Sequence, residues 1–186
     1  MTKDKHDFNQ KKIKTKLIDA SLFLSFYELL KNTIIDKISE FFNDEIVDGK
    51  LKNSTTYKEQ VINRKIKGKE NIFLSSCEWL IDNNVISKTD KELIERITKI
   101  RNDMAHRLIN YVFDENSVIE EVWFEQIKEI NLKIEKWWIY EYELSFITNP
   151  NIKIDYNDVN NVLHNRLFKF NYIYNIARTD LIEELL

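Results

Sequence analysis

The chain has 186 residues and a formal charge of −3 at neutral pH, enough length for one domain with a real core but little room for a second. That balance argues against a protein that coats nucleic acid indiscriminately, a mode that needs surplus lysine and arginine facing phosphates, although it leaves room for a local basic patch. Two glycines, one proline and one cysteine leave little turn punctuation, exclude an intrachain disulfide framework or a multi-cysteine metal site within one chain, and suit a reducing cytosol.

The composition predicts an all-α protein, with residues 1–11 as a flexible N-terminus and 12–186 as a single helical domain whose core covers 12–147. From Lys12 a long helix is expected through LIDASLFLSFYELLKNTIIDKISEFF, with apolar residues over most of its circumference and one narrow polar stripe of Ser21, Ser25, Glu28 and Asn32. Asp48-Gly49 should end it. The lysine-rich segment 50–69 reads as a solvated loop with a short helix, in preference to a dedicated RNA-contacting arm.

Phe73, Cys77, Leu80 and Ile81 have the spacing of a compact amphipathic helix, broken at Asn83-Asn84. Thr89 and Glu92 form a capping-box pair for the next helix, expected to run to about Val112, and Ser117 with Glu120 a second pair opening the longest helix, to about Ile147. Trp123, Ile127, Ile130, Ile134, Trp137 and Leu144 alternate steps of four and three, apart from an interruption at Glu141, as in a helix packed lengthwise in a bundle. Trp138, Tyr140 and Tyr142 lie off that seam and call for a second packing partner. Pro150 opposes continuation of this helix. The extension, 151–186, is read as helical because FKFNYIYNI, although it alternates like a strand, has no second strand to pair with, and DLIEELL adds a short final helix. The whole is an up-and-down bundle of four to five helices with a C-terminal helical extension.

No apolar run approaches the roughly 18 to 20 residues that span a bilayer, and the lysine-rich start is not followed by a signal-type segment, so a cytoplasmic protein with no membrane partner is expected.

The helical stretch TDKELIERITKIRNDMAHRLINYVFD carries the chemistry. At about 100° per residue, Leu93, Ile97, Ile100, Met104, Leu108 and Tyr111 share one face; Arg101 sits at its edge, Asn102 well outside it and His106 nearly opposite. Histidine moves protons near neutral pH, arginine stabilises charge building on phosphate oxygens, and asparagine can hold a hydroxyl or the imidazole. Together they suit cleavage of RNA by its own 2′-hydroxyl without a cofactor, and no His/Asp/Glu cluster has metal-ligand spacing. Arg101 and His106 are separated by roughly 140° on a straight helix, so two copies about a twofold axis would make a more compact site, with Ala105 small enough for close approach. On the residues alone, a snorkelling arginine and a surface histidine are the commoner reading. His6 and His164 stand outside any such constellation.

Arg101-Asn102-Asp103-Met104-Ala105-His106 resembles the R-x4-H signature of the HEPN superfamily, the higher eukaryotes and prokaryotes nucleotide-binding domain, in the form where a polar residue follows the arginine. The resemblance covers the motif and the general architecture of residues 12–147, not the C-terminal extension. It implies a helical, often dimeric protein and a metal-independent endoribonuclease of toxin–antitoxin or abortive antiphage systems, with Arg101 and His106 catalytic and Asn102 supporting. Other members are noncatalytic binding or regulatory modules, the mannitol-repressor-like proteins among them. The partners implied are a second copy, an RNA substrate and a cognate antitoxin or regulatory protein. Around the motif, Glu28 is a candidate to orient Arg101, Asp103 is a further supporting group, and Lys99 and Arg107 are candidate RNA contacts.

Overall fold

A computed structural model describes residues 10–42, 45–47, 50–52, 54–146, 160–163, 168 and 170–177, the backbone alone at 45–47 and 50–52. The expected N-terminal tail at 1–9, the Asp48-Gly49 turn, Pro150 and DLIEELL lie outside them.

Helix α1 (Gln10–Phe42) is the axle of the fold. Ala20, Phe23, Tyr27, Leu30, Ile34 and Ile38 are buried at steps of three and four, and Leu22 and Phe26 widen that stripe. A helix this apolar must be covered on several sides, and α1 packs against α3 (Ile72–Asp82), α4 (Lys88–His106), α5 (Leu108–Phe113) and α6 (Glu121–Trp137). With 33 residues to the 17 of α6, α1 is the longest helix among the described residues, contrary to the expectation that placed the longest one after Ser117. Its centre is aromatic: Phe124 of α6 meets Phe23 and Phe26 edge-on at centroid distances of 6.0 and 5.7 Å.

The described residues are mostly helical, with strand confined to two short hairpins. Strand β1 (Glu45–Val47) pairs antiparallel with β2 (Lys50–Lys52), Ile46 opposite Leu51. Helical turn α2 (Thr55–Tyr57), capped by Ser54, widens into a π turn over Lys58–Ile62. Tyr57 and Val61, four apart, are buried by it, and Tyr57 stacks on Phe42 at 5.5 Å. The 50–69 region is thus more than a solvated loop with a short helix. Its second hairpin pairs β3 (Lys65–Ile66) with β4 (Lys69–Glu70) through Lys67 (φ 51°) and Gly68 (φ 79°). Two positive φ values match the twist of a two-residue hairpin, and holding a lysine there costs roughly 1–2 kcal/mol.

Three helix boundaries differ from the sequence expectation, each for a local reason. The α4 capping box is Ser87 and Asp90, two residues before Thr89 and Glu92: the Asp90 amide donates to Ser87 Oγ at 3.0 Å and the Ser87 amide to Asp90 Oδ2 at 2.8 Å. Ser117 does not cap α6, which begins after Glu120 with no side-chain cap, because its hydroxyl is spent on the Asp114 carboxylate. The expected helix to Val112 breaks at Arg107 (φ −127°, ψ 29°), whose amide is shared between the carbonyls of Asp103 and Met104. No Gly or Pro forces that break. It lets Leu108 and Tyr111 pack against the main core, while Lys16 of α1 donates to the carbonyls of Tyr111 and Asp114 at the end of α5.

On α6, Ile127, Ile130 and Ile134 are buried as the seam requires. A π turn over Trp138–Glu143 then rotates the helix, burying Trp138 against Tyr142 (4.2 Å between rings) and under the Lys37 ammonium, while Tyr140 stays exposed. Residues 160–163 and 170–177 are helical, as favoured over strand. Phe170 stacks on Phe26 at 3.6 Å. No helix among the described residues is long and apolar enough to cross a membrane.

Candidate active site

Met104 faces the core, so its neighbours Asn102, Asp103, Ala105 and His106 are all exposed, while Arg101 is half-buried. Arg101 reaches back across the face of α1. Its Nη2 donates to Glu28 Oε1 at 2.6 Å and its Nη1 to Asn102 Oδ1 at 3.2 Å, and the guanidinium carbon stands 5.4 Å from the centroid of the Tyr27 ring. Glu28 is also within 3.8 Å of Lys31. Among the described residues the buried Arg101 Nε meets no acceptor, so both terminal nitrogens hold the group in place. With one N–H of each spent on protein, each keeps a second for an incoming anion.

Tyr27 lies beneath this pair and is 4% exposed. Burial pushes its phenol above the ordinary value, against the opposing pull of a side-chain hydrogen bond with Thr98 and the charge of Arg101. Thr98 in turn donates to the carbonyl of Ile94 at 2.7 Å. The resulting stack, α4 backbone to Thr98 to Tyr27 to guanidinium, has no signature in the sequence. Tyr27 has the spacing of an ordinary core residue, and only the packing of α1 on α4 sets its ring under Arg101.

The other candidates occupy two grooves on either side of the motif helix. One, of about 450 Å³, lies between the start of α3 and the outer face of α4 and is lined by Asn71, Phe73, Thr98, Lys99, Asn102 and Asp103, among others. The second, of about 520 Å³, runs between the end of α4 and the segment before α6; Asp103 and Arg107 line it with Met104, Tyr111, Asp114 and Trp123. Asp103 therefore stands between them. Arg101, Glu28 and Asn102 are brought into contact; Lys99 and Arg107 are separated into different grooves.

His106, the last residue of α4, lines neither groove, and its side chain has no hydrogen bond or ion pair within the described residues. The helix that follows, α5, exposes Ile109 (68%) and Phe113 (48%). In one copy, Arg101 and His106 thus face different sides of α4. Among the described residues no three His, Cys, Asp or Glu side chains are grouped as a metal site would need. Cys77 is fully buried, and burial pushes its thiol up to about 12, which suits a packing residue rather than a nucleophile.

Comparison with family models, curated proteins and solved structures finds no match for this chain.

Proposed function

We propose that the chain is a HEPN-type, metal-independent endoribonuclease whose site forms in the cleft of a homodimer, in an antiphage, abortive-infection or toxin–antitoxin system with a cognate antitoxin or regulatory protein. The observation that carries this reading is the fixed guanidinium: Arg101, braced by Glu28 at 2.6 Å and Asn102 at 3.2 Å, keeps free N–H groups at a half-exposed edge of the R-x4-H helix. A surface arginine that merely snorkels has no need of a carboxylate from another helix, an amide from its neighbour and an aromatic ring beneath it.

In the proposed reaction the 2′-oxygen attacks phosphorus and its proton passes to a base; the bond from phosphorus to the 5′-oxygen breaks and that oxygen takes a proton. The products carry a 2′,3′-cyclic phosphate and a 5′-hydroxyl. Arg101 stabilises the charge on the non-bridging oxygens and Asn102 orients the reacting groups. His106 moves the protons, and two copies supply one imidazole for each transfer. A dimer also accounts for the exposed Ile109 and Phe113 of α5, the helix that follows His106, which a second copy would cover.

The test is incubation of the purified protein in chelator with single-stranded and transfer RNAs, with end-group analysis of any products. Cleavage to cyclic-phosphate ends, lost in His106→Ala and in Arg101→Ala while the dimer persists, is the expected result. Intact RNA throughout defeats the reading. The exposed Ile109 and Phe113 of α5 equally favour a second reading, a noncatalytic module that docks a regulatory protein there. Motif substitutions that alter complex formation with no cleavage product would establish that one.

A further inference from the structure

The β3–β4 hairpin has a clamped base. Arg64, just before β3, donates to Asp82 of α3 at 2.7 Å and lies 3.8 Å from Glu78, while the buried Ser75 of α3 donates to the Arg64 carbonyl at 2.9 Å. On the preceding π turn, Gln60 accepts from the Trp79 indole at 3.1 Å. The hairpin is therefore held against α3, and its tip leans on α4, where the Lys67 ammonium stands 3.9 Å from Glu95 Oε2.

Glu95 also opens the groove that leads to the motif, whose lining continues through Lys99 to Asn102. From Glu95 to His106 is about 16 Å along the helix. An acidic residue at the entrance would repel a polyanion, but this one is met by Lys91 at 3.4 Å as well as by Lys67. Lys65, Lys69 and Lys99 are exposed and have no ion-pair partner among the described residues, and the Lys67 side chain is 83% exposed. Lys67 and Lys99 thus stand at this groove, while Lys65, opposite Glu70, and Lys69, opposite Ile66, carry charge on the two faces of the hairpin, in a chain whose net charge is −3.

A charge run kept only for solubility would not need a lysine at φ 51°, where asparagine or glycine fits the turn with less strain. We infer that the β3–β4 hairpin is an arm that grips the sugar–phosphate backbone of single-stranded RNA and feeds it along the Lys99–Asn102 groove to Arg101. This deepens the ribonuclease reading and rests on it for the identity of the strand. Lysines on a hairpin contribute charge without base contacts, so the grip is salt-sensitive and indifferent to sequence.

The test measures binding of a mixed-sequence 2′-O-methyl oligoribonucleotide, which offers no 2′-hydroxyl for cleavage, as a function of salt. Wild type is compared with the triple variant Lys65→Gln, Lys67→Asn, Lys69→Gln. Removing one lysine–phosphate pairing lowers the slope of log affinity against log salt by about 0.7 on a single strand, so the slope of the triple variant should be smaller by about 2. Between about 50 and 200 mM salt its affinity should then fall roughly 20-fold less than that of wild type. Lys67→Asn alone should lower the slope by about 0.7 and yet raise the thermal midpoint, a pairing that a merely structural lysine would not produce. On cleavable RNA the triple variant should keep kcat and raise KM. A wild-type slope in the triple variant, or no binding by wild type, overturns the arm. Cleavage with an unchanged slope and KM defeats the arm alone; a reduced slope without any cleavage sustains the arm and defeats the ribonuclease reading.

Discussion

Replacing Glu28 by glutamine keeps the shape of the side chain and removes the charge that meets Arg101 at 2.6 Å. The loss has two parts. A hydrogen bond between ions becomes one between an ion and an amide, and the guanidinium, whose Nε meets no acceptor among the described residues, is less firmly aimed. Both side chains keep about a third of their exposure, 32% for Arg101 and 38% for Glu28, so water screens the pair and the 3–5 kcal/mol penalty of breaking a buried pair does not apply. A coupling of about 0.5–1.5 kcal/mol is expected, above a typical surface pair because a ring and a second acceptor restrain the arginine. For 186 residues the unfolding entropy is about 0.4 kcal/mol per kelvin, so the midpoint should fall by roughly 1–4 °C.

The assay is a double-mutant cycle of wild type, Glu28→Gln, Arg101→Gln and the double variant, followed by circular dichroism in heat and in urea. Cleavage is measured in parallel. A brace that aims a transition-state group should cost about 10- to 100-fold in kcat with little change in KM. A coupling below about 0.3 kcal/mol, the level at which independent sites add, would show that the contact holds nothing. Unchanged kcat in Glu28→Gln would remove Glu28 from the site whatever its effect on stability.

Further expectations concern the scaffold. Burial works to raise the Asp90 carboxyl, but hydrogen bonds from Lys133 and from the amide and hydroxyl of Ser87 outweigh it, so its pKa lies below the ordinary 3.8. A depressed folded-state value means stability present above the unfolded pKa and lost as pH falls through the folded one. Asp90→Asn should therefore be less stable than wild type near neutrality and show a smaller decline below about pH 4, as read by urea midpoints across that range; equal declines would refute the assignment. Native Cys77, with its thiol pushed up to about 12, should resist iodoacetamide under conditions that label it fully in urea, as followed by mass spectrometry. Fast native labelling would contradict its burial. Phe124→Ala removes a ring that touches both Phe23 and Phe26 and should cost about 3–5 kcal/mol by urea unfolding, whereas a cost below about 1 kcal/mol would mean the aromatic centre collapses without strain.

Much of the helical content was legible in one dimension because burial follows the helical period. The α1 residues from Ala20 to Ile38 and the α6 triplet Ile127, Ile130 and Ile134 are buried where their spacing puts them. Boundaries were less legible. Ser87-Asp90 and Thr89-Glu92 satisfy the same capping rule, and only the backbone conformation at Ser87 selects between them. Trp138 lies off the straight seam and is buried by a π turn, a change of pitch that a periodicity argument holds constant.

By itself, the sequence determined a mostly helical chain, the polar stripe that carries Glu28 and the divergence of Arg101 from His106, which shares a face with Asn102, because side-chain direction on a helix is set by residue number. Only the tertiary structure decided that Glu28 and Tyr27 meet Arg101, 73 positions along from Glu28, and that the helix breaks just after His106. It also decided that a lysine-rich stretch folds into a hairpin leaning on Glu95. These are contacts between segments far apart in sequence. They depend on how α1, α3 and α4 cross in space, and residue spacing within one element carries no information about that crossing.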